Sequence, residues 1–227
     1  MPPAATPMDW SLADIADALH DGLRRREESL RVEQAVVGLD GLDELRLHPI
    51  IAESLHGAGY GVFRERRYPR DRVHPRRSVG ERCDGVVTRG GAPLREPDQR
   101  DDERTLFDPP DAVPLDEACW LEVKTVPQHL AEGPNDRYAA ELLQPLRRDV
   151  RKLAADRGIR HRALVLVLFT DDESTAQHDL AAWERQAIDR GLSFAPPCVR
   201  HLAIVDRIGN RTCTVAVYGV NAAPEDE

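Results

Sequence analysis

Two charged residues that stand two positions apart are the best candidates for chemistry in this sequence. Glu122 and Lys124 lie in the apolar run 119–126, and alternation along a β-strand would direct both side chains to the same face. Asp84 lies in a second strand-like run, 82–88. One Asp, one Glu and one Lys on neighbouring strands can bind a divalent metal ion and stabilise a phosphoryl transition state. The three residues therefore indicate a metal-dependent nuclease, although an isolated Glu–Lys pair of this kind is more often an ion pair on a half-exposed strand.

Helices and strands alternate around these residues, as the spacing of apolar residues indicates. Gly57 ends an apolar-faced helix, and Pro145 predicts a kink or a break in the helix that follows the Glu122 strand. Residues 163–170 are apolar almost throughout, which is typical of a central strand buried on both faces. In chain order the predicted elements are a helix at 42–57, strands at 60–68, 82–88 and 119–126, a helix at 135–156, a strand at 163–170, a helix at 175–190 and strands at 199–205 and 212–218.

The beginning of the chain and one insertion lie outside this pattern. The first helix is predicted to end in the charged run 24–28, and a second short helix is predicted at 30–37. The sequence leaves open whether these helices form an accessory layer or an interaction arm. An insertion at 89–117, rich in Pro, Asp and Glu, is predicted to be a mobile loop or to be partly disordered. The predicted division is an N-terminal helical extension at 1–41, an α/β domain at 42–221 and a disordered tail at 222–227.

Composition restricts the class of protein. The chain has 227 residues, of which 41% are hydrophobic and 31% charged, and its net charge is −9. That length suits one large domain with extensions. The acidic total argues against broad, nonspecific coating of nucleic acid, but it allows a local basic groove. The four cysteines form no CxxC pair and no run reaches membrane-spanning length, so we expect free thiols, a cytoplasmic location and no membrane partner.

The order of these elements resembles that of the PD-(D/E)XK nuclease superfamily over residues 42–170. The resemblance implies an α/β, restriction-endonuclease-like fold, with a mixed central sheet flanked by helices. It implies that Asp84 is the first metal-binding acid and that Glu122 and Lys124 are the acid and the lysine of the ExK motif. Two features depart from the superfamily pattern, namely Cys83 in place of the proline before Asp84 and the long acidic insertion between the motif strands.

The same resemblance implies a catalytic centre that binds Mg²⁺ or Mn²⁺. Asp84 and Glu122 would be ligands, and the backbone carbonyl of Val123 would add a third oxygen. An acid on the first helix often supports the metal in this superfamily; Glu44 and Glu53 both qualify here, and Glu44 is preferred. Lys124 would orient or deprotonate the attacking water, or stabilise the developing negative charge.

Basic residues on both sides of the motif strands are candidates for contacts with a phosphate backbone. The alternatives are a solvated loop for the first group and an exposed helix face for the second. The candidates are Arg64, Arg66, Arg67, Arg70 and Arg72 before the Asp84 strand, and Arg148 and Lys152 on the helix after the Glu122 strand.

Two functions follow as expectations. The first is metal-dependent hydrolysis of nucleic acid, with DNA favoured over RNA, in bacterial (phage) defence or DNA processing. The second is a catalytically inactive nuclease-fold module that serves as a protein or nucleic-acid interaction subunit. A protein partner or a homodimer is compatible with both.

Overall fold

The structure, a computed structural model, describes residues 10–69, 82–95 and 111–223. Four long helices lie within these ranges, namely α1 (Leu12–Val32), α2 (Glu44–Gly57), α3 (Tyr138–Ala155) and α4 (Glu173–Asp189). The strands within them are β1 (Gly61–Arg67), β2 (Arg82–Thr88), β3 (Cys119–Pro127), β4 (His129–Leu130), β5 (Gly133–Pro134), β6 (His161–Thr170), β7 (Cys198–Ala203) and β8 (Thr212–Gly219).

A six-stranded mixed sheet forms the centre of the fold, in the order β1-β2-β3-β6-β8-β7. β3 and β6 run parallel, and each of the other neighbouring pairs is antiparallel. β6 is buried on both faces, since Val165 and Val167 belong to one core cluster and Leu164 and Leu166 to the other. The predicted α/β class, with a mixed sheet flanked by helices, is confirmed, and so is the buried central strand.

Two helical layers cover the sheet. α1 and α2 bury their apolar residues in the cluster on one face, and α3 and α4 bury theirs in the cluster on the other. Side chains fix where three of these helices begin, because Ser11, Asp43 and Asp172 each accept a hydrogen bond from a backbone N–H of the first turn. None of the helices in the described ranges is long and apolar enough to cross a membrane.

The predicted end of the first helix was wrong. α1 continues through the charged run to Val32, so residues 30–37 do not form a second helix. The charged residues are good helix formers, and all of the run except the buried Glu27 lie on the exposed side, where Arg31 pairs with Glu28 at 2.7 Å. Of the kink or break predicted at Pro145, the break does not occur, since α3 passes through the proline as one helix whose apolar stripe packs on both sides of it against the same face of the sheet.

α1 packs on the sheet as a helical layer. It packs on β7 and β8 and places Ile15, Leu19 and Leu23 in the core at 0% exposure. A buried ion pair strengthens the contact, since Arg207 Nη1 donates to Glu27 Oε1 at 2.9 Å. The same Glu27 oxygen accepts the backbone N–H of Val205 at 3.0 Å. The N-terminal helix is therefore bound to the loop between β7 and β8 by polar contacts as well as by apolar packing.

We expect Arg207→Met to destabilise the protein by about 3 kcal/mol, because the change leaves the Glu27 carboxylate buried without its cation. The free energy of unfolding, measured by urea denaturation, tests this. Arg200→Met is the matched control, since Arg200 pairs with Asp17 on the surface at 2.6 Å and such pairs contribute less than about 1 kcal/mol. Equal losses in the two variants would contradict a role for burial.

Candidate catalytic and metal site

The site forms where β2 and β3 separate. The ladder between them contains three residue pairs, which run from Val87–Cys119 to Gly85–Leu121. Beyond the last pair the residues of the two strands are no longer paired, and the Asp84 carboxylate lies between the strands, in what we call the gap. Its Oδ2 accepts the backbone N–H of Val123 at 2.8 Å. The side chain thus replaces a backbone partner, which holds the carboxylate beside β3.

The first turn of α2 enters the same region. Asp43 caps the helix by accepting the N–H of Arg46 at 2.8 Å, which places Glu44 beside the second half of β3. Glu44 Oε2 accepts a hydrogen bond from Lys124 Nζ at 2.7 Å and is 3.4 Å from the backbone nitrogen of Thr125. Glu53 is exposed on the same helix. Of the two predicted supporting acids, the structure brings Glu44 to the site.

Glu122 is more deeply buried than we expected. Only 2% of its surface is exposed, whereas the sequence predicts a side chain that faces a cleft beside Lys124. Its Oε1 accepts hydrogen bonds from the Tyr68 hydroxyl and from Lys152 Nζ, the latter at 2.8 Å. Tyr68 in turn stacks on Trp120, with ring centroids 5.6 Å apart. Glu122 and Lys124 therefore have different partners, although both come from one strand.

Lys152 does not lie on an exposed helix face, which was the alternative to a phosphate contact, and the phosphate contact itself stays a prediction. Its side chain is 17% exposed and bonds to Glu122, because the C-terminal half of α3 packs directly over β3 and Tyr68. The ammonium lies 5.8 Å from the centre of the Tyr68 ring. Lys152 is therefore part of the acidic centre.

Two residues of the site, Asp149 and Tyr68, were not predicted from the sequence. Asp149 Oδ1 lies 3.9 Å from Lys152 Nζ, and its side chain is 16% exposed. A signal for it existed, since Asp149 occupies the i+3 position from Leu146 on the buried stripe of α3. An acid on such a stripe requires a buried partner. Tyr68 follows β1 and carries no comparable signal.

Negative charge exceeds positive charge in this centre. Four carboxylates (Glu44, Asp84, Glu122 and Asp149) meet two ammonium groups (Lys124 and Lys152). Burial raises the pKa of Asp149 to about 6, and the charges of Asp84 and Glu44 add to the effect. Burial and the nearby Asp84 also raise the pKa of Glu122, against the opposing effect of Lys152.

Both lysines remain charged. Burial lowers the pKa of Lys124, but the hydrogen bond and the charge of Glu44 outweigh it and raise the pKa above its ordinary value. Glu122 has the same effect on the pKa of Lys152, again against burial. The centre therefore combines two permanent cations with a larger number of crowded acids.

The donor atoms of the site are of the type that a hard divalent cation binds. Asp84 and Glu122 supply carboxylate oxygens, the ligands that Mg²⁺ and Mn²⁺ prefer, and an ammonium already lies against Glu122 as a cation would. Among the described residues, no three His, Cys, Asp or Glu side chains are arranged as a ready metal cluster. Asp84 contacts the Val123 amide, and the role of the Val123 carbonyl as a ligand stays a prediction.

The predicted nucleic-acid contacts separate into three groups. Arg64, Arg67 and Arg148 are exposed, and Arg64 lines a small hollow next to Asp84 on the α2 side of the sheet. Arg66 is partly buried, with its guanidinium 5.7 Å from the centre of the Phe63 ring. Arg70 and Arg72 lie outside the described residues.

The two ends of the acidic insertion are structured. Leu94 and Val113 form a parallel β-bridge, and the N–H of Val113 donates to the carbonyl of Pro93 at 2.8 Å. Leu94 and Ala112 are buried at 6% and 5% exposure. Residues 96–110, the middle of the predicted mobile loop, lie outside the described residues.

Comparisons with known proteins give no relative for this chain. No protein-family model matches it, and neither does any curated protein or any solved structure.

We expect Asp149→Asn to stabilise the metal-free protein at pH 7.5. The folded-state pKa of Asp149 is about 6 and exceeds the ordinary value of about 4 for an Asp in the unfolded chain. At pH values between about 4 and 6, the folded state therefore binds more protons than the unfolded state. Stability from this carboxyl is therefore lost as the pH rises from about 4 to 6. The gain should be about 1–3 kcal/mol at pH 7.5 and smaller at pH 5.

Urea denaturation in EDTA at both pH values measures this gain. Asp116→Asn is the control, because Asp116 is a surface carboxylate paired with Arg160 at 3.1 Å. A gain that is the same at both pH values would show that the Asp149 pKa is not raised in the folded protein.

Proposed function

We propose that this protein is a divalent-metal-dependent nuclease that hydrolyses phosphodiester bonds, with DNA as the favoured substrate. One observation carries the proposal. The acid of β2, the acid and the lysine of β3 and the first acid of α2 come together where the sheet opens. They are Asp84, Glu122, Lys124 and Glu44. The resemblance to the PD-(D/E)XK nucleases gives this set its chemical meaning.

Asp84 and Glu122 would hold the metal, with the Val123 carbonyl as a third oxygen. A bound divalent ion activates water and neutralises charge on the phosphoryl group. Asp84 is placed for this task by the Val123 amide, which fixes its carboxylate beside β3. Ligand binding by Glu122 requires its Oε1 to change partners, or its second oxygen to face the ion.

Lys124 would act as a cation. Its raised pKa keeps the ammonium protonated, which favours stabilisation of the negative charge that develops on the phosphoryl oxygens over deprotonation of water. Glu44 holds this ammonium at 2.7 Å and so restricts its position. In this proposal Glu44 acts through Lys124, as a positioning residue.

Substrate binding would depend on a few local contacts. The net charge of −9 opposes approach of a polyanion. Exposed arginines would offset this repulsion, and one of them, Arg64, borders the same hollow as Asp84. Arg67 and Arg148 are the other exposed candidates for phosphate contacts.

The alternative is an inactive module with a nuclease-like fold that binds a protein or a nucleic acid. The burial of Glu122 under Tyr68 and Lys152 favours it, because a closed acid–lysine–tyrosine network can serve stability alone. Metal binding and cleavage separate the two functions, since the alternative requires neither.

We expect Asp84→Asn and Glu122→Gln each to reduce cleavage at least about 100-fold, a loss of roughly 2.7 kcal/mol of transition-state stabilisation. Both changes keep the side-chain shape, so circular dichroism should report an intact fold. The assay uses single- and double-stranded DNA and RNA with Mg²⁺ and with Mn²⁺. A wild-type protein that cleaves none of these substrates, or variants that cleave as the wild type does, would contradict the proposal.

A matched pair on α2 tests the role of Glu44. We expect Glu44→Gln to lower the single-turnover rate by about 10-fold or more, because the amide no longer fixes the Lys124 ammonium. Glu53→Gln changes the same residue type on the exposed side of the same helix and should leave the rate within about twofold. Equal rates in the two variants would remove Glu44 from the site.

A further inference from the structure

We infer that Lys152 is an internal counter-ion that occupies the cation position at Glu122 and that a divalent metal ion displaces it. The inference rests on the proposed metal site and adds a residue that the nuclease resemblance does not supply. It makes Lys152 a residue of the metal-free state, distinct from Lys124, which the proposed function assigns to the reaction.

The position of the ammonium carries the inference. Lys152 Nζ is 2.8 Å from Glu122 Oε1 and 3.9 Å from Asp149 Oδ1. It therefore lies between two acids of different elements, as a ligated cation does. Glu122 Oε1 also accepts the Tyr68 hydroxyl, so this oxygen is already shared by two donors. A metal ion that binds Glu122 through this oxygen has to displace one of the two donors, and the ammonium is the one that the charge of the ion repels.

Burial explains why a counter-ion is needed. The Glu122 side chain is 3% exposed, and an ionised carboxylate at such a site is strongly unfavourable unless a cation and hydrogen bonds compensate it. Lys152 supplies that cation when no metal is bound. A divalent ion would supply more charge at the same place and would repel the ammonium.

The side chain of Lys152 can move its ammonium away from Glu122. The residue belongs to the last turn of α3, and its long flexible side chain is partly exposed beside the Tyr68 ring, so rotation about its own bonds can carry the ammonium towards solvent. Lys124 does not share this arrangement, since its ammonium bonds to Glu44. The two lysines therefore have separate partners.

Titration calorimetry with Mn²⁺ alone, on the full chain, tests the inference. Lys152→Gln should bind Mn²⁺ at least about tenfold more tightly than the wild type, because the metal no longer competes with an ammonium for Glu122. Lys152→Arg retains the cation and should not bind more tightly than the wild type. Arg151→Gln removes the adjacent exposed charge and should change the affinity less than about twofold.

Thermal melts with and without Mn²⁺ give a second measurement. Lys152→Gln should melt lower than the wild type in EDTA and should gain more from Mn²⁺ than the wild type does. If the wild type binds Mn²⁺ and Lys152→Gln binds it equally or more weakly, the inference is overturned and the metal site stands. If Lys124→Gln gains as much affinity as Lys152→Gln, a general charge effect replaces the specific one and overturns the inference.

Two further outcomes complete the test. If neither the wild type nor Lys152→Gln binds Mn²⁺, the metal site and the inference fail together. If Lys152→Gln does not fold, NMR of the lysine ammonium groups in the wild type decides. Loss of the Lys152–Glu122 hydrogen bond on addition of Mn²⁺ supports displacement, and an unchanged Lys152 signal in the metal-bound protein contradicts it.

Discussion

The hydrogen bond from the Val123 amide to the Asp84 carboxylate is the interaction on which the candidate site depends. A backbone N–H left without a partner in a partly buried region costs on the order of 1–3 kcal/mol. β2 no longer supplies a backbone acceptor once its ladder with β3 ends at Gly85–Leu121. The side chain of Asp84 supplies the acceptor instead, which lets the two strands part without that cost. The gap opens between strands that pair normally a few residues away.

A second constraint is the amount of acid that the gap contains. Each carboxylate near β3 has a partner that lowers the cost of its burial: the amide for Asp84, Lys124 for Glu44, and Lys152 with Tyr68 for Glu122. These partners come from β3, α3 and the end of β1, and α2 supplies Glu44, so the site depends on the docking of both helical layers. Such networks are satisfied only when all members are in place. The apolar strand β6, which pairs with β3 along its whole length, supplies the rigid support.

The sequence identified the elements more reliably than the partners. Alternation along 119–126 predicted β3, the continuous apolar run 163–170 predicted β6, and helical spacing predicted the helix between them. The spacing of Glu122 and Lys124 pointed to the strand that carries the site. The direction in which each charged side chain turns depends on neighbours far away along the chain. Lys152 stands 30 positions after Glu122 in the printed sequence, and no local pattern couples them. The burial of Asp149 was predictable, because this acid lies on the apolar stripe of a helix. The contact of Tyr68 with Glu122 has no sequence pattern and is seen only in the folded chain.

The bridge between Leu94 and Val113 separates the length of the insertion from the geometry of the two motif strands. It brings the two ends of the insertion together within one strand spacing, on a patch that Leu94 and Ala112 bury. The two ends of the connection from β2 to β3 are therefore already joined to each other at the boundaries of residues 96–110. Because the entropy of loop closure grows only slowly with length, segments of very different size could be inserted or removed there without altering the register of the two strands. This position could accept a reporter domain or an affinity tag while the acids of the gap keep their geometry.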